Sequence, residues 1–193
     1  MIRDRFDFEQ FVSTNLGQEA PAEMFGVSKV TSTSEDAYII LQDMGDAASE
    51  TDPSFRTSLI EQLTAAYLQK DEGGANLPAW VTRGTGLYFA AQVETKSPYF
   101  DGLKIAVPPM LQTVTKPADV FNDGTFSPAA VGAVGYTLVD FLIKSAGPQS
   151  FGQLIRVVKS GTKIQDAVKT VYKADPTGLA QRYGTSLGGG RRD

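Results

Sequence analysis

A chain of 193 residues with 41% apolar side chains is long enough for one domain, or two small lobes, around a real core, and a charged fraction of 21% argues against disorder. A net charge of −4 leaves no basic footprint for nucleic acid. There is no histidine and no cysteine, which excludes a Ser-His-Asp triad, a Cys-His pair, His-ligated zinc or haem, and any dependence on disulfides. Catalysis, if any, would fall to carboxylates, Lys, Tyr, Ser or Thr.

In chain order, Phe6-Asp7-Phe8-Glu9-Gln10-Phe11-Val12 predicts a short helix ending near Gly17. Two strand-like runs follow, Met24–Thr31 and Ala37–Leu41, and the polar Ser32–Asp36 link between them suits a hairpin. Asp43–Pro53 is an acidic loop whose Asp43, Asp46, Glu50 and Asp52 lack the spacing of an EF-hand, so a solvated loop is expected over a calcium site. From Ser54 the period becomes helical, with Phe55, Leu59, Leu63 and Ala66-Tyr67 on one stripe, until Asp71-Glu72-Gly73-Gly74 breaks it. Leu77-Pro78-Ala79-Trp80 introduces a second helix, to about Glu94.

Lys96–Pro128 is the least regular third, carrying Pro98, Pro108, Pro109, Pro117 and Pro128. Beyond it the pattern is helical throughout: Pro128–Ser145 ended by Gly147, then Pro148–Lys159, Lys163–Lys173, and a closing helix that Asp175-Pro176 opens as N-cap and first residue. Arg191-Arg192 follows three glycines and is taken as a flexible tail over 188–193. No stretch is expected to span a membrane, because Val131–Ile143 is short and interrupted by Gly132, Gly135, Thr137 and Asp140. Nor does Met1-Ile2-Arg3-Asp4-Arg5 read as a secretory leader. A domain of a longer secreted protein fits equally, so compartment and oligomeric state stay open. Strands first and helices after point to an α+β fold with a small N-terminal antiparallel or mixed sheet and an all-helical C-terminal lobe.

Several strings in this order resemble the bacterial peptidase MA-like (gluzincin) domains. The most specific is Leu77-Pro78-Ala79-Trp80-Val81-Thr82-Arg83-Gly84-Thr85-Gly86-Leu87-Tyr88, where the family has Leu-Pro-x-Trp-Leu-x-Glu-Gly. Gly135-Tyr136 through Gly147 to Leu154, and Gly161-Thr162-Lys163-Ile164, are similar to the family's helical lobe, and Phe8-Glu9-Gln10-Phe11 and Phe25-Gly26-Val27 to its amino end. The resemblance implies a single domain over 1–187, with 1–95 holding the sheet and a zincin-like pair of former active-site helices, and 96–187 a mainly helical lobe.

Its metal ligands are missing. In the best register Glu61-Gln62-Leu63-Thr64-Ala65 stands where the family has His-Glu-x-x-His, and Arg83 where it has the third ligand, a glutamate. A register one residue earlier places Glu61 at the catalytic position but Ile60 and Thr64 at the histidines. Neither supplies two imidazoles one turn apart, Ala65 has no donor atom, and Gln62 cannot take a proton from water. No metal and no cofactor are therefore expected. If the fold is kept, either Glu61 and Arg83 meet as an ion pair that replaces the metal's cross-link, or both are solvated and apart.

Trp80, Tyr88 and Tyr136 are candidates for the old cleft, with Trp80 expected in the core rather than as a ligand platform and the two tyrosines in the core or along the cleft wall. Gly84-Thr85-Gly86 lacks the Lys-Ser/Thr of a phosphate loop. The resemblance implies a catalytically inactive domain that binds protein or an extended peptide along an edge strand, either Phe25–Thr31 or Tyr38–Leu41. Two alternatives stand beside it. One is an assembly domain acting through the face Phe151–Val158. The other is an enzyme with a metal-independent Ser, Thr, Tyr or carboxylate site.

Overall fold

The computed structural model describes residues 1–17, 19–20, 24–29, 38–42, 49, 51–70 and 73–188. Among them stand seven α-helices and a two-stranded antiparallel sheet, an α+β architecture dominated by helix. Helix α1 (Arg5–Leu16) starts at Asp4, whose carboxylate accepts from the Phe6 and Asp7 amides, and stops at Gly17 in the left-handed region, φ 65°. Strands β1 (Gly26–Lys29) and β2 (Tyr38–Leu41) pair with Gly26 opposite Leu41. The link between them, the acidic residues Asp43, Asp46 and Glu50, the pair Asp71-Glu72 and the Arg191-Arg192 tail lie outside the described residues.

The register fixes which backbone groups face outward. Gln42 N–H donates to Phe25 O, so the 27–40 and 29–38 pairs exchange ladder bonds while Gly26 and Ser28 turn theirs to the outer edge of β1. The outer side of β2 is already engaged, since Ile2 N–H donates to Leu41 O.

Helices α2 (Phe55–Lys70) and α3 (Ala79–Val93) run antiparallel, tied at one end where Glu94 accepts from Ser54 Oγ at 2.6 Å and from the Thr57 hydroxyl. Ser54 also caps α2 by accepting from Thr57 N–H at 3.0 Å. The two helices touch backbone to backbone: a Cβ on Gly86 would stand 2.7 Å from Glu61 Cα. Near this approach α2 buries the small or polar Thr57, Ser58, Glu61 and Ala65, while Leu68, a turn further on, enters the main core. The stripe expected to be its core face points the other way, with Phe55 47%, Leu63 52% and Tyr67 73% exposed.

The prolines of the middle third do not make it irregular. Pro98 at the first position and Ser97 before it open α4 (Pro98–Leu111), which runs through Pro108 and Pro109. Those two lack amide hydrogens, and the carbonyls thereby deprived belong to Lys104 and Ile105 on an exposed segment that water can reach. Helix α5 (Pro128–Lys159) is broken at Gly147 (φ 82°, ψ 162°), which divides it into 128–146 and 148–159 at the expected place. By length and composition alone α5 could cross a bilayer, but it is the central core helix, burying Val134, Leu138, Val139 and Leu142. Its second half buries Phe151, Leu154 and Val158, so the face expected for assembly is occupied by the core. Helices α6 (Ile164–Tyr172) and α7 (Pro176–Gly188) close the lobe, α7 opening where Asp175 accepts from Gly178 N–H at 3.1 Å.

Gly84 and Gly135 set the crossing of α3 on α5. A Cβ at Gly84 would fall 2.3 Å from the Gly135 backbone, and one at Gly135 would fall 2.5 Å from Trp80 O. Gly84-Thr85-Gly86 is thus a two-sided helix contact, Gly84 towards α5 and Gly86 towards α2, inside a helix rather than in a phosphate-binding loop.

Candidate functional site

Glu61 sits mid-way along α2, 7% exposed, and Arg83 reaches it from the first half of α3. Arg83 Nε donates to Glu61 Oε1 at 2.8 Å and Nη1 donates to Pro128 O at 2.9 Å, so the guanidinium ties α2, α3 and the start of α5 together. The space it needs comes from Gly132, where a Cβ would lie 3.2 Å from Arg83 Nη2.

Two cavities flank this pair. One, of about 220 Å³, lies between residues 24–27 beside the sheet and the side chains of Glu61, Gln62, Ala65, Thr82 and Arg83. The other, of about 340 Å³, is lined by Phe25, Asp52, Arg83, Tyr99 and Gly132 among others. Phe25 and Arg83 border both. Positions 61, 62, 65 and 83 therefore share one cavity, whereas Ile60 packs against the Leu87, Ala90 and Phe100 cluster and Thr64 does not line it. Of the two registers, only the first brings its residues together.

Those residues do not fit a zinc ion. Ala65 offers no donor, the Glu61 carboxylate is held by a cation, and Arg83 brings positive charge to the place where a third ligand would stand. Among the described residues no group of three or more His, Cys, Asp or Glu side chains converges on a point. Gln62 has no basicity for drawing a proton from water.

Tyr99, in the first turn of α4, belongs to the site although the sequence reading passed over it. Burial first, then the Glu61 carboxylate, push its phenol above the ordinary range, and Arg83 opposes them. It is a protonated hydroxyl at the edge of the ion pair. The available signal was Ser97-Pro98, a helix start that places Tyr99 in an ordered first turn.

The remaining candidates lie elsewhere. Trp80 is 1% exposed in the core and donates from Nε1 to Phe121 O at 2.8 Å. Tyr88 is half-buried, its ring edge-on to Phe89 at 5.8 Å, and lines neither cavity. Tyr136 packs at a tilt against Phe100, ring centroids 5.4 Å apart, and opens onto a different cleft, not onto the wall shared with Arg83.

These features define the class of the molecule: an α+β domain, mostly helix, in which a strand borders two antiparallel helices and an ion pair occupies their common cavity. Residues 56–189 match the family model of the Peptidase MA superfamily, and the chain belongs to that family. No curated protein and no solved structure matches the chain.

Proposed function

We propose that this chain is a peptidase-fold domain that no longer cuts, and that it holds an extended peptide along β1. On this reading α2 and α3 are the zincin-like helix pair, Glu61, Gln62, Ala65 and Arg83 stand at the former metal and catalytic positions, and the Glu61–Arg83 bridge replaces the metal as the link between the helices. The supporting observation is that these four positions line one cavity bordered by β1, whose Gly26 and Ser28 backbone groups face outward with no partner among the described residues. A peptide adding as a strand would pair with those groups.

The test is a fluorescence-anisotropy screen of an arrayed peptide library, with mass spectrometry of every bound peptide after long incubation. Intact bound peptides, released by Ser28→Pro, are expected. That substitution removes an outward amide while leaving the β1–β2 ladder alone. Binding indifferent to Ser28→Pro would end the strand-addition reading, and cleavage by metal-free protein would end the inactive one.

A second reading, assembly, is favoured by the outward apolar stripe of α2, not by the face first expected for it. It predicts a concentration-dependent oligomer in light scattering that Leu63→Glu with Tyr67→Glu dissolves. A monomer at all concentrations would count against it.

A further inference from the structure

A cleft of about 1120 Å³ lies away from the Glu61–Arg83 cavity, between α4, the middle of α5 and the end of α7. Tyr136 forms part of its wall. That side chain is only 6% exposed, its ring packed on Phe100, and its hydroxyl makes no hydrogen bond to any described residue. The ring is buried but the oxygen is not: it opens onto the cleft as a donor. Burial holds it protonated, because its pKa is raised, chiefly by desolvation, with Lys104 opposing.

Two ammonium groups and one carboxylate share the wall with it. Lys104 and Lys144 line the same cleft, and each gives one hydrogen to a neighbouring carboxylate: Lys104 to Asp101 at 3.1 Å, Lys144 to Asp140 at 2.7 Å. Asp140 is the carboxylate on the wall, and Lys144 already holds it. The Ser145 and Ser186 hydroxyls are turned to the helix carbonyls of Phe141 and Tyr183. Each ammonium retains two further N–H groups, and the phenol retains its O–H. The rest of the wall is apolar, with Ile105, Phe141 and Leu187.

We propose that this cleft binds a carboxylate carried on an apolar chain, the head accepting hydrogen bonds from Tyr136 and from the ammonium groups of Lys104 and Lys144, the chain lying along Ile105, Phe141 and Leu187. The site is separate from the groove along β1 and stands whether or not that groove holds a peptide. An open cleft with convergent donors above an apolar floor is the ordinary form of a small-molecule site.

Isothermal titration of the whole chain with decanoate tests this, beside decyltrimethylammonium as the same chain with the opposite head. Saturable decanoate binding at one per chain is expected, at least tenfold tighter than the cation. Tyr136→Phe keeps the ring on Phe100, so its melting temperature should stay near that of the parent while decanoate affinity falls about tenfold. Lys104→Gln with Lys144→Gln should erase the preference for the anion. No saturable binding, equal binding of both heads, or affinity unmoved by Tyr136→Phe would each overturn the proposal.

Discussion

Arg83 Nε stands 2.8 Å from Glu61 Oε1, joining residues 22 apart in sequence across two helices whose backbones meet at Gly86. The Glu61 side chain is 9% exposed and that of Arg83 27%, so the bridge is more screened than a fully buried pair and less than a surface one. Removing one partner strands a charge near the interior. Arg83→Ala should therefore cost about 2 kcal/mol, and in a domain of this size lower the melting temperature by about 5 °C. Glu61→Gln should cost less, because the amide can still accept from Nε. In a double-mutant cycle Glu61→Ala and Arg83→Ala should couple by about 1 kcal/mol or more. Additive losses would mean that the two residues do not support one another.

Gly84 gives a prediction whose sign is the test. In an exposed helix interior Gly→Ala stabilises by about 1 kcal/mol. Here the added methyl meets the Gly135 backbone at 2.3 Å, and backbone cannot rotate aside. Gly84→Ala should destabilise by about 3 kcal/mol, read as a fall in the urea midpoint, as should Gly135→Ala against Trp80 O. Gly152→Ala, on the same long helix with nothing within 4 Å, is the control and should be neutral or better.

These glycines also show what could and could not be read from the chain. Caps and breaks were legible because they act within a few residues: Gly17 ends α1, Gly147 breaks α5, and Asp175 opens α7. The direction of α2 was not, because its apolar stripe is as regular as any core stripe. What turns Phe55, Leu63 and Tyr67 outward is a contact made by Gly86 on another helix, which periodicity does not register. Helix α4 was hidden for a different reason. Pro108 and Pro109 read as breakers, yet they fall near its end, and the carbonyls they leave unpaired are exposed. Glu61 and Arg83 could be named as facing positions from the family resemblance, but the carbonyl of Pro128, the gap at Gly132 and the phenol of Tyr99 belong to elements far along the chain.

The buried tyrosines predict an alkaline limit to stability. Tyr99, Tyr172 and Tyr183 all have phenols pushed up by burial; Tyr172 Oη has no hydrogen-bond partner among the described residues, and Tyr183 shares a 2.6 Å bond with Thr137. In the unfolded chain a tyrosine loses its proton near pH 10, and in the folded chain these three lose theirs later, so above that pH the unfolded state binds fewer protons. Their contribution is complete below about pH 10 and is lost as pH rises through the folded values. The loss should reach about 4 kcal/mol per pH unit when all three act. Tyrosinate absorbance near 295 nm, recorded beside circular dichroism, should show its last rise coinciding with unfolding. Complete ionisation in a chain that remains folded would contradict the burial of these rings.

The sharpest test of the proposed former metal site is to rebuild it. Glu61, Gln62, Ala65 and Arg83 line one cavity, with 61 and 65 one turn apart on the buried face of α2. Glu61→His, Gln62→Glu, Ala65→His and Arg83→Glu together would place two imidazoles and a carboxylate around that space, with a second carboxylate beside it. The parent chain should retain no zinc after dialysis, and neither zinc nor a chelator should move its melting temperature. The fourfold variant should hold one zinc per chain, and zinc at a hundred times its Kd should stabilise it by about 2.7 kcal/mol. The comparison variant takes the other register, Ile60→His and Thr64→His with Arg83→Glu, keeping Glu61. It should bind no better than the parent, because Ile60 packs into the Leu87 cluster and Thr64 does not reach the cavity. Zinc binding by the second variant and not the first would move the old site one residue along α2, and the role given to the Glu61–Arg83 bridge would go with it.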